Sequence, residues 1–169
     1  MPTVEIRFSP LPAHVRTARL MAVAVARRSH VEDAVLDELR LAVGEACSRA
    51  VRLHQRYAPG VPVELLLSDE DGSFAVDVVD RGPYDAAAAE DNGPDLVVRL
   101  DSAEVEPDEL AEGLPPGVVL AVISGLVDSV TISPGPAGGT RVHMQWPAGR
   151  RAADTVTIDE HEIAYDLPV

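Results

Sequence analysis

Residues 36–57, LDELRLAVGEACSRAVRLHQRY, constrain the fold more than any other part of the chain. The stretch has no Pro and a single glycine, Gly44, and Leu36, Leu39, Val43, Ala46, Ala50, Leu53 and Tyr57 recur at steps of three and four. That spacing lays one apolar stripe along an α-helix. Cys47 sits beside the stripe, as a small core residue would. Glu38, Glu45, Arg49, Arg52 and Arg56 fall within about 60° of one another on the other side. One face is therefore expected in the core and the other in water, with Glu45 and Arg49 spaced to pair at i,i+4.

A helix of this kind needs something to pack on. The chain has 169 residues, of which 46% are apolar, enough for one domain with a real core. Its longest apolar run is too short to span a bilayer, and MPTVEIRFSP has no signal-peptide pattern. A single Cys argues against disulfides and zinc and fits the cytoplasm. The five His residues show no metal spacing, so no metal site is expected; His14, His30, His54 and His161 read as surface or partly buried, and His143 as a strand residue. The net charge of −14 argues against direct nucleic-acid binding, which needs clustered cations, and would steer a basic protein partner.

In chain order, TVEIRF (3–8) alternates as a strand does, and 13–28 presents Val15, Ala18, Ala22 and Val25 on one helical face. The long helix stops before Pro59-Gly60. Residues 61–68 and 73–79 form a hairpin about Asp71-Gly72. Residues 81–116 hold Pro, Gly and an Ala run and read as a long loop; from Asp85 to Glu112, ten acids face Arg99 alone, a formal −9. A short helix is expected over 117–126. Strands follow at 129–133 and 140–145 across PGPAGG, and then an acidic tail with a short strand near 155–158. The order β-α-α-β-β-loop-α-β-β predicts an α+β two-layer sandwich: a mostly antiparallel sheet with helices on one face.

Three separated segments carry a finer signal. They are LRLAVGEACSRAV in the long helix, VVDRGPYD at 78–85, and GVVLAVISGLVDSVTI followed by GGTRVHM at 138–144. Taken singly, each has a plain structural reading: Glu45–Arg49 a surface ion pair, Asp80 to Pro83 a strand-ending turn, Gly138-Gly139 a hairpin turn. In their joint order they resemble the ATPase domain shared by histidine kinases and gyrase (the Bergerat fold), and within it the anti-sigma factor/serine-protein kinases of the RsbW and SpoIIAB type, especially actinobacterial ones. The resemblance divides the chain into a domain at 1–146, with a lid loop at about 81–116, and an acidic tail at 147–169.

The resemblance implies roles for single positions. Glu45 stands where the family places a general base, and Asp80 where it receives the adenine amino group. Gly82, Gly117, Gly139 and Thr140 stand at motif places of the nucleotide site. Three places depart from the motif. Arg49 replaces the Asn that holds Mg²⁺, and Tyr84 and Val119 replace glycines. Arg offers no acceptor and would repel the metal. Tyr and Val add bulk where backbone must approach the ligand closely. The acidic lid would repel a triphosphate. Arg49 can pair with Glu45 or can touch phosphate in place of the metal, and Tyr84 can plug an empty adenine pocket or lie exposed.

The implied function is an anti-sigma-factor-like regulator whose partners are an alternative sigma factor and a STAS-domain anti-anti-sigma factor, with ATP or ADP binding and kinase activity lost or impaired. The helix at 13–28 is where the resemblance puts dimer and partner contacts, with a homodimer implied. Two alternatives stand beside it. One is an active serine-protein kinase using Mg-ATP, with Glu45 as base; the other is a nucleotide sensor that binds ADP through Asp80, Gly82 and Thr140 without transfer.

Overall fold

The computed structural model describes residues 3–70, 72–84, 123 and 125–149. The chain runs β1 (Thr3–Phe8), α1 (Pro12–Arg28), a 3₁₀ turn (Asp33–Val35), α2 (Leu36–Tyr57), β2 (Val63–Glu70), β3 (Ser73–Val79), β4 (Ser129–Pro134) and β5 (Thr140–Pro147). All strand pairs are antiparallel, in the order β1-β2-β3-β5-β4. This is the α+β arrangement that the order of elements predicts.

The expected helix at 36–57 forms over those residues, and the first helix gains Pro12 at its start, where a missing N–H costs nothing. The strand expected from 61 begins at Val63. Val61 N–H closes a turn onto Ala58 O at 3.0 Å, and Pro62 has no donor for a ladder. The helix expected at 117–126 and the strand at 155–158 lie outside the described residues, apart from Ile123 and the turn at 125–126.

Alternation sorts the sheet into two faces. Val63, Leu65 and Leu67, then Phe74, Val76 and Val78, then Val142, Met144 and Trp146 point inward and are buried. Leu39, Val43, Ala46 and Ala50 of α2 complete that core. α1 packs on α2 through Val15, Ala18, Ala22 and Ala26, small residues that let the helices approach. Val25, expected on that seam, is half-buried, because Ala26 takes the inward position. At the far end of the α2 stripe Leu53 is half-buried and Tyr57 is exposed.

Cys47 is fully buried, and burial alone pushes its thiol up to about 12. Above pH 9.0 the unfolded chain ionises this thiol and the folded chain does not, so this group's contribution to stability falls as pH rises from 9.0 toward about 12. At pH 8 a thiol reagent should label Cys47 only at the rate of unfolding. Labelling in seconds without denaturant would contradict the core placement.

One consequence of the strand order matters for function. β3 and β5 lie side by side in the sheet, with Val79 opposite Arg141. The residue after β3, Asp80, therefore meets the residues that open β5.

Candidate functional site

Asp80 is the hub of a buried cluster drawn from three parts of the sequence. It is 1% exposed, and its carboxylate accepts three hydrogen bonds from the chain itself. Oδ1 accepts the backbone N–H of Gly82 at 2.8 Å and that of Thr140 at 3.3 Å. Oδ2 accepts Nη1–H of Arg49 at 2.5 Å. The backbone closes the same ring, with Asp80 N–H donating to Thr140 O at 2.9 Å.

Arg49 corrects the sequence expectation. Its side chain is 4% exposed, and its guanidinium lies under the Asp80 turn rather than in water. It pairs with Asp80 and not with Glu45; Glu45, one turn earlier, is half-buried and makes no ion pair among the described residues. The periodicity placed Arg49 on the polar side of the helix correctly. What it does not contain is the turn at residues 80–82, which crosses that side and seals it.

Two glycines allow the crossing. A Cβ at Gly82 would stand 2.9 Å from Leu53 Cβ, so the turn lies directly against α2. Gly139 has φ +82°, and a Cβ there would stand 1.9 Å from Asp80 O. No other residue fits that second position. Tyr84 is half-buried and packs on the core. Gly117 and Val119 lie outside the described residues.

His54 also corrects the expectation, which placed it at or near the surface. It is fully buried and serves as a strut. Its Nε2 accepts Arg81 N–H at 2.9 Å, so the proton must sit on Nδ1, which donates to Val61 O at 2.8 Å. The neutral ring thus ties α2 to both the β2 entrance and the Asp80 turn. Its place three and four residues after the buried Val51 and Ala50 was the available sequence signal. His54→Ala leaves two backbone groups unpaired and a cavity, and should cost about 2–4 kcal/mol in urea unfolding. A loss under about 0.5 kcal/mol, as for an ordinary surface change, would contradict the strut.

A second cluster, not singled out from sequence, braces β3 against β5 on the sheet's other face. Asp77 accepts Nε–H and Nη2–H of Arg141 at 2.7 and 2.9 Å, and His143 Nδ1–H at 2.8 Å. The hydrogen bonds that Arg141 donates to Asp77 push the guanidinium pKa further above its ordinary value. Among the described residues no group of His, Cys, Asp and Glu could hold a metal ion, and no helix is long and apolar enough to cross a membrane.

The profile of the histidine kinase-like ATPase domain matches residues 8–146. The chain belongs to that family. No curated protein matches it.

Against this family, the geometry at Asp80 can be weighed as a place for a purine. A neutral amino group needs a carboxylate oxygen with a free lone pair facing the ligand. Here a guanidinium makes a charge-assisted bond to Oδ2, and two backbone N–H groups take Oδ1. A purine amino group would compete there with the Arg49 guanidinium. Where Mg²⁺ would need an oxygen ligand from α2, Arg49 presents a fixed positive charge. As folded, Arg49 and Asp80 do not fit a metal-bound nucleotide. Two buried atoms in the cluster, Arg49 Nε and Thr140 Oγ1, have no hydrogen-bond partner among the described residues.

Proposed function

We propose that this histidine kinase-like ATPase domain works as an anti-sigma-factor-like regulator, in which a protein-binding surface is kept and the nucleotide pocket is closed from within. The observation that carries this reading is the buried Arg49–Asp80 pair. The guanidinium donates to Asp80, the residue to which the family resemblance assigns the adenine amino group, so that residue already has a charged partner without ligand. Its partners are an alternative sigma factor and a STAS-domain anti-anti-sigma factor that compete for it. Neither ATP nor ADP is a resident cofactor, and any phosphorylation switch is supplied by another kinase. The remaining acidic surface, within a net charge of −14, suits a basic patch on a sigma factor.

The test is co-purification with sigma factors and STAS-domain proteins of the same cell, with and without Mg-ATP. A complex that forms equally in both conditions, with no phosphoserine on the STAS protein, is expected. Phosphoserine appearing on the STAS protein with Mg-ATP would overturn it and favour the kinase alternative, to which Glu45, without an ion pair among the described residues, would supply a base. The unpartnered Arg49 Nε and Thr140 Oγ1 favour the sensor alternative, which nucleotide binding without transfer would establish.

A further inference from the structure

We propose that the outward face of α1 is a docking surface for an acidic, amphipathic segment, and that its occupant in the free protein is residues 154–169 of the same chain. The proposal is independent of the sigma-factor reading.

The first observation is the face itself. In a chain of net charge −14, α1 has no acidic residue and exposes Arg16, Arg27 and Arg28, while half-buried Arg19 lies against Gly44 of α2. On the side away from α2, Leu20 is 56% and Met21 43% exposed, with Thr17 and Ala24 exposed one turn to either side. Basic and apolar groups therefore share one surface. Among the described residues, only Arg27 of these arginines has an ion pair, a 3.9 Å contact with exposed Asp33.

The second observation is where the carboxy-terminal segment departs. Gly149 N–H donates to His30 O at 2.9 Å, and a Cβ on Gly149 would touch His30 Cβ at 3.2 Å. His30 stands two residues beyond Arg28, the last residue of α1. The described chain thus comes, at Gly149, to the carboxy-terminal end of α1. That end carries the negative pole of the helix, which suits Arg150 and Arg151. The acids that follow can then run back along the helix toward Arg16.

The third observation is complementarity of sequence and length. Asp154, Asp159, Glu160, Glu162 and Asp166 are interleaved with Ile158, Ile163, Tyr165 and Leu167. Acids meet the arginines while apolar side chains cover Leu20 and Met21, burying apolar area that water now touches. α1 is about 25 Å long at 1.5 Å per residue. The twenty residues 150–169 reach its far end whether helical, at about 30 Å, or extended, at about 65 Å. A partner that uses this face must displace the segment.

The experiment uses the full chain with Ala13→Cys carrying a spin label. Ala13 is exposed at the far end of α1, about 22 Å of helix from the departure point, and native Cys47 is buried and stays unlabelled. The expected result is loss of NMR intensity at Ile158, Ile163 and Leu167. It should recover in about 0.5 M salt, where screening is strong, and on adding Asp159→Arg with Glu162→Arg. Undiminished intensity at those residues would overturn the proposal. So would intensity loss that arises only between a labelled molecule and a separate isotope-labelled one, because the occupant would then be a second copy.

Discussion

Arg49→Met should destabilise the protein by about 3–5 kcal/mol, the usual cost of removing one partner from a buried ion pair. Asp80 is 1% exposed and would lose its counter-charge. Asp80→Asn should also be costly, because it leaves a buried guanidinium facing an amide. The double variant is the informative one. The amide oxygen it introduces after β3 can still accept from the backbone N–H groups of Gly82 and Thr140, and the thioether it introduces on α2 asks for no charge. The double variant should therefore be more stable than the sum of the single losses implies, by at least about 1 kcal/mol. Guanidinium unfolding of all four proteins measures this. Strict additivity would mean that Arg49 and Asp80 are not a functional pair in solution.

Gly139→Ala should be at least as damaging. The position has φ +82°, and the added methyl carbon would begin 1.9 Å from Asp80 O and 2.7 Å from Arg81 Cα. Neither is a side chain that can swing away. The backbone of either β5 or the Asp80 turn must move, which breaks the Thr140–Asp80 bonds as well. A loss of about 3 kcal/mol or more is expected, in the range that marks a backbone conflict rather than an ordinary substitution. Gly72→Ala is the control: its φ of +86° is similar, but nothing lies within 4 Å of the new Cβ. It should lose clearly less. Equal losses at the two positions would show that φ alone matters and that the contact with Asp80 does not.

The architecture was legible because local pattern and tertiary need agree in this chain. α2 occupies the residues its stripe indicates, and β3 those its run of apolar residues indicates. The family motifs were legible for the same reason: Asp80, Gly82, Gly139 and Thr140, spread across the sequence, do come together. The identity of Arg49's partner was not. An i,i+4 spacing to Glu45 is a local fact, whereas the bond to Asp80 spans 31 residues and depends on β3 ending beneath α2. His54 failed similarly. A His near a helix end reads as solvated until the Val61 carbonyl and the Arg81 amide are brought to its two nitrogens. In both cases the missing information is the path of the backbone after β3, which no periodicity encodes.

If Arg49 already satisfies Asp80, adenine nucleotides have no recognition site to gain. Calorimetric titration of the purified protein with ATP and with ADP, each with and without Mg²⁺, should give no binding heat. Thermal unfolding of the same samples should show no shift at about 1 mM ligand, because ligand that binds only the folded state would raise stability by mass action. Mg²⁺-dependent binding in the micromolar range, with a matching thermal shift, would contradict the account: Arg49 would then have to leave Asp80 and serve the nucleotide instead.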